Sequence, residues 1–180
     1  MITYDFFRTI KAIPHDVCLP KRPAYLKLGW RLQLNFTRPP KMIEKITGGD
    51  MYHTEPVTAY PNDYTETTEV AKKELHAKSR PMLKGQVKDM GAYDIIFLGY
   101  PNWWGTLPMP VFTFLEGYDF TGKTIVPFCT HEGSGMGHTE QDIVKACPKA
   151  TVLKGVAIHG TSAGSADAEV SRWIDKLGLL

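Results

Sequence analysis

Paired cysteine motifs, long apolar runs and a strong net charge are all missing from this sequence. Its three cysteines, Cys18, Cys129 and Cys147, form no C-x-x-C pair and are odd in number, which argues against a disulfide framework and for a reducing compartment. We interpret them as small buried hydrophobic residues. No apolar stretch approaches the length that spans a bilayer, and charged residues interrupt the first 19 residues, so no secretory signal is recognised. These absences predict a cytoplasmic protein without membrane contact.

The formal net charge is only +2 at pH 7, which provides no general attraction to nucleic acid. The charge is unevenly distributed, because the first 45 residues are rich in lysine and arginine and contain only Asp5, Asp16 and Glu44 as acidic residues. The remainder of the chain is therefore net acidic. With 180 residues, of which 43% are hydrophobic and 22% charged, the chain has an ordinary globular composition and fits a single domain, 1–180.

From about Met42 onward, segments with strand and helix character alternate. Strands are predicted over 50–57, 94–100, 123–130 and 151–159, and helices over 64–79, 110–118, 139–147 and 166–177. The run 94–100 (DIIFLGY) is continuously apolar, which is typical of a parallel strand covered on both faces. Strands that alternate with helices imply right-handed crossovers, so the sequence predicts an α/β fold with an open, doubly wound parallel sheet.

The first part of the chain has a different pattern. Residues 24–36 alternate strictly between apolar and polar side chains, which is typical of a half-exposed strand. A doubly wound sheet has its first strand in the centre, apolar on both faces, so 24–36 is an uneasy candidate for that place. We therefore treat 1–38 as an atypical N-terminal segment. A replaced or mistranslated start would explain it, and coding DNA without an apolar strand in any alternative frame would exclude that explanation.

Two loops after predicted strands carry residues suited to a ligand, because open α/β sheets bind ligands at the carboxyl ends of their strands. The first loop contains Pro101, Asn102, Trp103, Trp104 and Gly105. Two adjacent tryptophans cannot both face one side of an extended core, so at least one is expected at the surface or in a pocket. There an indole can stack on another flat ring. Alternatively, both indoles fill the space between the loop and the following helix.

The second loop follows the predicted strand 123–130 and is rich in glycine. Its candidate residues are Thr130, His131, Glu132, Gly133, Ser134 and Gly135. Glycine allows a backbone to approach a ligand closely and to present amide N–H groups. His131 and His138 could be proposed as metal ligands, but no further ligand stands at a recognisable spacing, so solvated histidines are the preferred interpretation. No side chain is assigned a catalytic role.

These two loops, together with Arg80-Pro81 and the segment PMPVF at 108–112, resemble the flavodoxin-like proteins of bacteria. The resemblance covers roughly 42–180. It implies a flavodoxin-like, five-stranded parallel sheet of order 2-1-3-4-5, of which the first strand is atypical in this sequence, and FMN bound noncovalently at the carboxyl ends of strands 1, 3 and 4. It further implies that Trp103 or Trp104 packs on the isoalloxazine and that the loop 130–135 hydrogen-bonds its pyrimidine edge.

One motif of that family is missing, namely the S/T-x-T-G-N-T loop that wraps the FMN phosphate at a helix N-terminus. The equivalent place falls near Asn35 and Thr37, followed by Arg38 and two prolines. A proline could open a helix that Thr37 caps, so a phosphate could still meet Thr37, Arg38 and free amides. The absence of glycine and the presence of Phe36 argue against an intact phosphate site.

The sequence thus predicts an FMN flavoprotein that moves electrons. It would act either as a carrier between redox partner proteins or as a small reductase that takes electrons from a nicotinamide donor. Electron-carrying flavodoxins are usually strongly acidic, and the net charge of +2 argues mildly against that role. The alternative is a domain that has lost FMN and serves as a binding or structural module. Whether two copies form a homodimer is left open.

Overall fold

In the computed structural model, the described residues are 38–179 together with the backbone of 24–28. The helices and strands are β1 (Ala24–Leu28), α1 (Arg38–Thr47), β2 (Asp50–Thr54), α2 (Tyr64–Ala77), β3 (Ile95–Pro101), α3 (Met109–Glu116), β4 (Thr124–His131), α4 (Thr139–Ala146), β5 (Thr151–Val152), β6 (Val156–His159) and α5 (Asp167–Leu177). Short 3₁₀ turns lie at Met90–Ala92 and Gly160–Ser165. Apart from the first and last predicted strands, 24–36 and 151–159, the predicted bounds agree with these within three residues.

The described strands form one parallel sheet of order β2-β1-β3-β4-β5, and β6 also pairs with β4. Helices connect the successive strands from β1 to β5, as parallel pairing of neighbouring strands requires. The predicted α/β class with a parallel sheet is therefore confirmed. Because all of these strands run in one direction, the loops that follow β3 and β4 emerge at the same edge of the sheet.

Strand β1 corrects one expectation. The backbone of Ala24–Leu28 pairs in parallel with β2 on one side and with β3 on the other, so the segment that we considered an uneasy candidate does occupy the central place. Main-chain hydrogen bonds define this position, and they do not depend on the polarity of the side chains. The predicted continuation of this strand, over 29–36, lies outside the described residues.

The predicted strand 151–159 is also corrected, since it is interrupted between β5 and β6. Val152 pairs with Ile125 and Val156 pairs with Phe128, so this edge carries one more residue than the facing stretch of β4. Pro127 lies in that stretch and has no N–H to donate to the ladder. An extra residue opposite such a position is the pattern of a β-bulge.

The core lies on both faces of the sheet. Side chains of β3 alternate, with Ile96, Leu98 and Tyr100 in a buried cluster that includes side chains of α3 and α4, and Phe97 in a second cluster that includes side chains of α1 and α5. Each such buried side chain contributes roughly 1.5–3 kcal/mol of apolar burial. Burial on both faces of the sheet explains the continuous apolar run of β3. Among the described helices, none is long and apolar enough to cross a membrane.

Candidate functional site

The loops after β3 and β4 are joined into one structure. At the ends of the two strands, Pro101 pairs with Thr130, and the amide of Asn102 donates to the carbonyl of Thr130 at 2.8 Å. The side-chain amide of Asn102 donates to the carbonyl of Gly135 at 2.8 Å. Further along, the amide of His138 donates to the carbonyl of Gly105 at 2.7 Å. The predicted residues 101–105 and 130–135 therefore do come together at one edge of the sheet.

The first of these loops, the Trp loop (residues 101–108), contains a tight hairpin. Trp103 and Thr106 exchange backbone hydrogen bonds of 3.1 and 3.0 Å, and Trp104 and Gly105 between them have positive φ angles of 53° and 82°. Two positive φ angles in a two-residue hairpin are the mark of a type I′ turn. The hydroxyl of Thr106 donates to Asp142 of α4 at 2.6 Å, so the hairpin is also attached to the helix that follows β4.

The two indoles have different surroundings. Trp104 is 52% exposed, its Nε1 donates to the carbonyl of Thr68 at 3.2 Å, and the Lys72 ammonium lies 5.2 Å from its ring centroid. Thr68 and Lys72 belong to α2, so Trp104 lies against the preceding helix, not the following one. The expectation that at least one indole reaches the surface is confirmed. Trp103 is partly buried.

A tyrosine that the sequence interpretation missed supports Trp103. The ring of Tyr60 stands edge-on to Trp103 with centroids 5.3 Å apart, and its hydroxyl donates to the carboxylate of Glu74 on α2. Burial raises the pKa of Glu74, although the bond from Tyr60 opposes that shift. No periodic pattern marks Tyr60, because it lies in the irregular connection between β2 and α2 and reaches the site only through the fold.

The second loop, the Gly loop (residues 131–137), has three glycines in positive-φ conformations. The φ angles are 122° at Gly133, 57° at Gly135 and 56° at Gly137. A Cβ at Gly137 would fall 2.3 Å from the carbonyl oxygen of Gly105, so the close approach of the Trp loop requires glycine there. Gly137 was not among the predicted site residues, although it is the last glycine of the same run.

The Gly loop offers hydrogen-bonding groups to a ligand. The amide of Gly133 donates to Nδ1 of His131 at 2.9 Å, whereas within the described part of the chain the amides of Ser134 and Gly135 have no hydrogen-bond partner. In the same region Asn102 Oδ1 is buried with no partner among the described residues. Buried polar atoms are usually paired, so the unpaired Asn102 Oδ1 is suited to a ligand with a polar edge, and the amides of the exposed Ser134 and the partly buried Gly135 are accessible donors on the same joined loops.

At the start of the Gly loop, Glu132 and two histidines lie together where β4 and β6 end. The rings of His131 and His159 are 5.4 Å apart, and Glu132 lies 3.8 Å from Nε2 of His159. Residues 38–179 contain no group of three or more potential ligands arranged to hold a metal ion.

Two buried groups beneath the loops are not nucleophiles. The thiol of Cys129 lies 3.5 Å from the carbonyl of Gly135, and burial raises the pKa of Cys129 to about 12. Because the thiolate is the reactive form, this cysteine is neutral and inert at ordinary pH. Burial likewise raises the pKa of Tyr100. The side chains under the site therefore support the loops and provide no reactive anion.

The region expected to hold a phosphate is described only from α1 onward. Asn35 and Thr37 lie outside the described residues. Helix α1 does begin where the prolines were expected to open it, at Arg38, and both prolines are buried. Arg38, however, donates from Nε and Nη2 to the two carboxylate oxygens of Asp167 on α5, at 2.8 and 2.6 Å. The expectation that Arg38 meets a phosphate is therefore not supported by its side-chain contacts.

The arrangement matches a known family. A sequence model described as Flavodoxin matches residues 38–177. The chain belongs to the flavodoxin family. Those residues include β3, β4 and both candidate loops, and the family assignment agrees with the resemblance carried by these loops. No curated protein sequence matches this flavodoxin-family chain.

Solved structures share the flavodoxin fold. A Bacteroides eggerthii DSM 20697 protein, provisionally named a flavoprotein, is 26% identical with a TM-score of 0.76, over 88% of this chain and 99% of that one. A Bacteroides uniformis ATCC 8492 protein with the same provisional name is 27% identical with a TM-score of 0.73, over 87% and 97%. A Lactobacillus acidophilus NCFM flavoprotein, solved in complex with FMN, is 20% identical with a TM-score of 0.65, over 86% and 99%; it shares the fold.

Proposed function

We propose that this flavodoxin-family chain binds the flavin of FMN between the Trp loop and the Gly loop and functions in electron transfer. The observation that carries the proposal is the joining of these loops, which brings an indole wall and free amide donors to one edge of the sheet. Flavin sites need an apolar wall, donors to the ring carbonyls and exclusion of water. The L. acidophilus flavoprotein of the same fold was solved with FMN, which supports this choice of ligand.

The roles of the loop residues follow from their contacts. We assign Trp103 to the flavin wall, because Trp104 already lies on α2 through its indole N–H and beneath the Lys72 ammonium. The amides of Ser134 and Gly135 are assigned to the pyrimidine edge of the ring. Pro101, Asn102, Gly105, Thr130, His131, Glu132 and Gly133 would complete the site by holding the two loops in place.

The bound flavin would supply the electron-transfer chemistry, since its ring accepts and returns electrons. The chain would bind and orient the ring, shield one face with Trp103 and set the polarity around it through the Gly-loop amides. We assign no side chain as an acid or base.

A small reductase that takes electrons from a nicotinamide donor is the favoured activity. Its support is the net charge of +2, because a carrier that docks on basic partners benefits from a strongly acidic surface. Steady-state oxidation of NADH and NADPH, with FMN and a quinone or dye acceptor, tests this choice. Turnover supports the reductase. No turnover in protein with bound flavin supports a carrier for a redox partner protein.

Titration with FMN, followed by quenching of flavin fluorescence, tests the binding itself. Saturable binding of one FMN per chain is expected. No binding to folded protein would contradict the proposal and favour the alternative, a flavodoxin-like domain that has lost FMN and serves as a binding or structural module.

Substitution of single tryptophans tests the assigned wall. Trp103→Leu removes a stacking surface worth about 1 kcal/mol beyond its buried area, so we expect FMN affinity to fall by about fivefold or more. Trp104→Leu should have a smaller effect. Trp173→Leu is the matched control, because that indole packs on Phe97 and Phe128 beneath α5 and should leave affinity within about twofold. A larger loss in Trp104→Leu than in Trp103→Leu would reverse the assignment.

A further inference from the structure

The first turn of α1 lacks most of the hydrogen-bond donors that a phosphate needs. Helix N-termini bind phosphate because the first N–H groups have no partner within the helix. In α1 the residues after Arg38 are Pro39 and Pro40, and proline has no N–H. Two of the first three residues of this helix therefore cannot donate, whatever ligand lies in front of them.

The positive side chain of the same turn is already bound. Arg38 forms a bidentate pair with Asp167 at 2.8 and 2.6 Å, a geometry that matches the fork of a guanidinium to both oxygens of a carboxylate. This pair lowers the pKa of Asp167, which keeps that carboxylate ionised. Asp167 thus occupies the guanidinium as a phosphate would, and it adds a negative charge near the start of α1.

The two loops that would contact the flavin ring show no such loss. The amides of Ser134 and Gly135 lack partners within the described residues, and Trp103 lies on the Trp loop, which hydrogen bonds join to the Gly loop. Among the described residues, the polar groups available to a flavin therefore lie mainly on the two loops, and few lie at the start of α1, where the phosphate is expected.

We propose that this site recognises the isoalloxazine ring with little contribution from the 5′-phosphate, so that riboflavin is bound about as well as FMN. The inference rests on the proposed flavin-binding function and narrows it, because riboflavin and FMN differ only by the phosphate. A site that made three charge-assisted hydrogen bonds to the phosphate would favour FMN by roughly a thousandfold or more.

Parallel titrations with riboflavin and with FMN, at about 0.15 M salt where the Debye length is about 8 Å, test the inference. We expect the two dissociation constants to agree within about fivefold. FMN binding more than about a hundredfold tighter than riboflavin would overturn the inference and leave the proposed function intact. Failure of both flavins to bind folded protein would overturn the proposed function and this inference with it.

Two variants test the structural cause. Pro39→Ala/Pro40→Ala restores both amide donors, and Asp167→Asn releases Arg38 without altering the shape of its partner. We expect the proline double variant to tighten FMN by about tenfold and Asp167→Asn to tighten it by about threefold, each with riboflavin unchanged within about twofold. An equal change for both flavins, or no change in FMN affinity in either variant, would overturn the inference that the first turn of α1 is the reason why the phosphate contributes little to binding. Circular dichroism verifies folding, and Asp167→Asn provides the test on its own if the double variant does not fold.

Discussion

Replacement of Gly137 by alanine isolates the contact that joins the Trp loop to the Gly loop. At φ +56° an alanine is in the left-handed region, which costs roughly 1–2 kcal/mol. Its Cβ would also lie 2.3 Å from the carbonyl oxygen and 2.9 Å from the carbonyl carbon of Gly105. The hairpin must then move by about an ångström, and the bond from His138 to Gly105 at 2.7 Å would break.

Gly135→Ala is the matched control, because Gly135 has nearly the same φ, +57°, with nothing within 4 Å of the added Cβ. The control should lose only the backbone term of about 1–2 kcal/mol. Gly137→Ala should lose that amount and a further 1–3 kcal/mol or so, as expected for one or two broken hydrogen bonds and an overpacked contact.

Urea unfolding of both variants measures the difference in the free energy of unfolding, and flavin titration measures whether the joined loops are needed for binding. Gly137→Ala should bind flavin at least about tenfold more weakly than the parent protein. Equal stability of the two variants, together with unchanged flavin affinity in Gly137→Ala, would refute the argument that Gly137 is glycine because Gly105 lies against it.

Two further changes test the interior. Gly99→Ala places a Cβ 2.2 Å from Cζ of Phe128 and should reduce the free energy of unfolding, measured in urea, by about 1–3 kcal/mol. Gly85→Ala is the control, because nothing lies within 4 Å of the added Cβ, and it should change that free energy by less than about 1 kcal/mol. Similar losses in both variants would contradict this account. Burial raises the pKa of Glu74, so the stability gained from its protonated form is present at acid pH and is lost as the pH rises through the raised folded value. Glu74→Gln should therefore be more stable than the parent protein in urea at pH 8 and nearly equal at pH 4, and a parent advantage at pH 8 would contradict that sign.

The sequence predicted the parts of the fold that depend on continuous apolar runs. β3 and β4 are buried on both faces, and their continuous apolar sequences predict this burial. The break between β5 and β6 was missed because it depends on the partner strand, where Pro127 lacks a donor. The central position of β1 was not expected, because the alternating side chains of 24–36 are atypical of a central strand. Backbone pairing with β2 and β3 determines that position.

The sequence predicted which two loops form the candidate site, but it did not predict the contacts that these loops make. Trp103, Trp104 and the glycines after β4 follow strands, and the edge of a parallel sheet brings such loops together. Tyr60 and Gly137 are different, because their roles come from neighbours distant in the chain. The ion pair between Arg38 and Asp167 could not be predicted either, because the two residues are 129 positions apart in the chain.

The hydrogen bonds from Asn102 and His138 across the two loops bear on how fast a ligand could enter. Because hydrogen bonds already join the two loops, they have no hinge between them. The conformational entropy of ordering these loops is therefore lost during folding and not when a ligand binds. Capture of a flat ring at this edge should then proceed in a single kinetic step whose observed rate rises linearly with ligand concentration, without the plateau that a closing lid would impose.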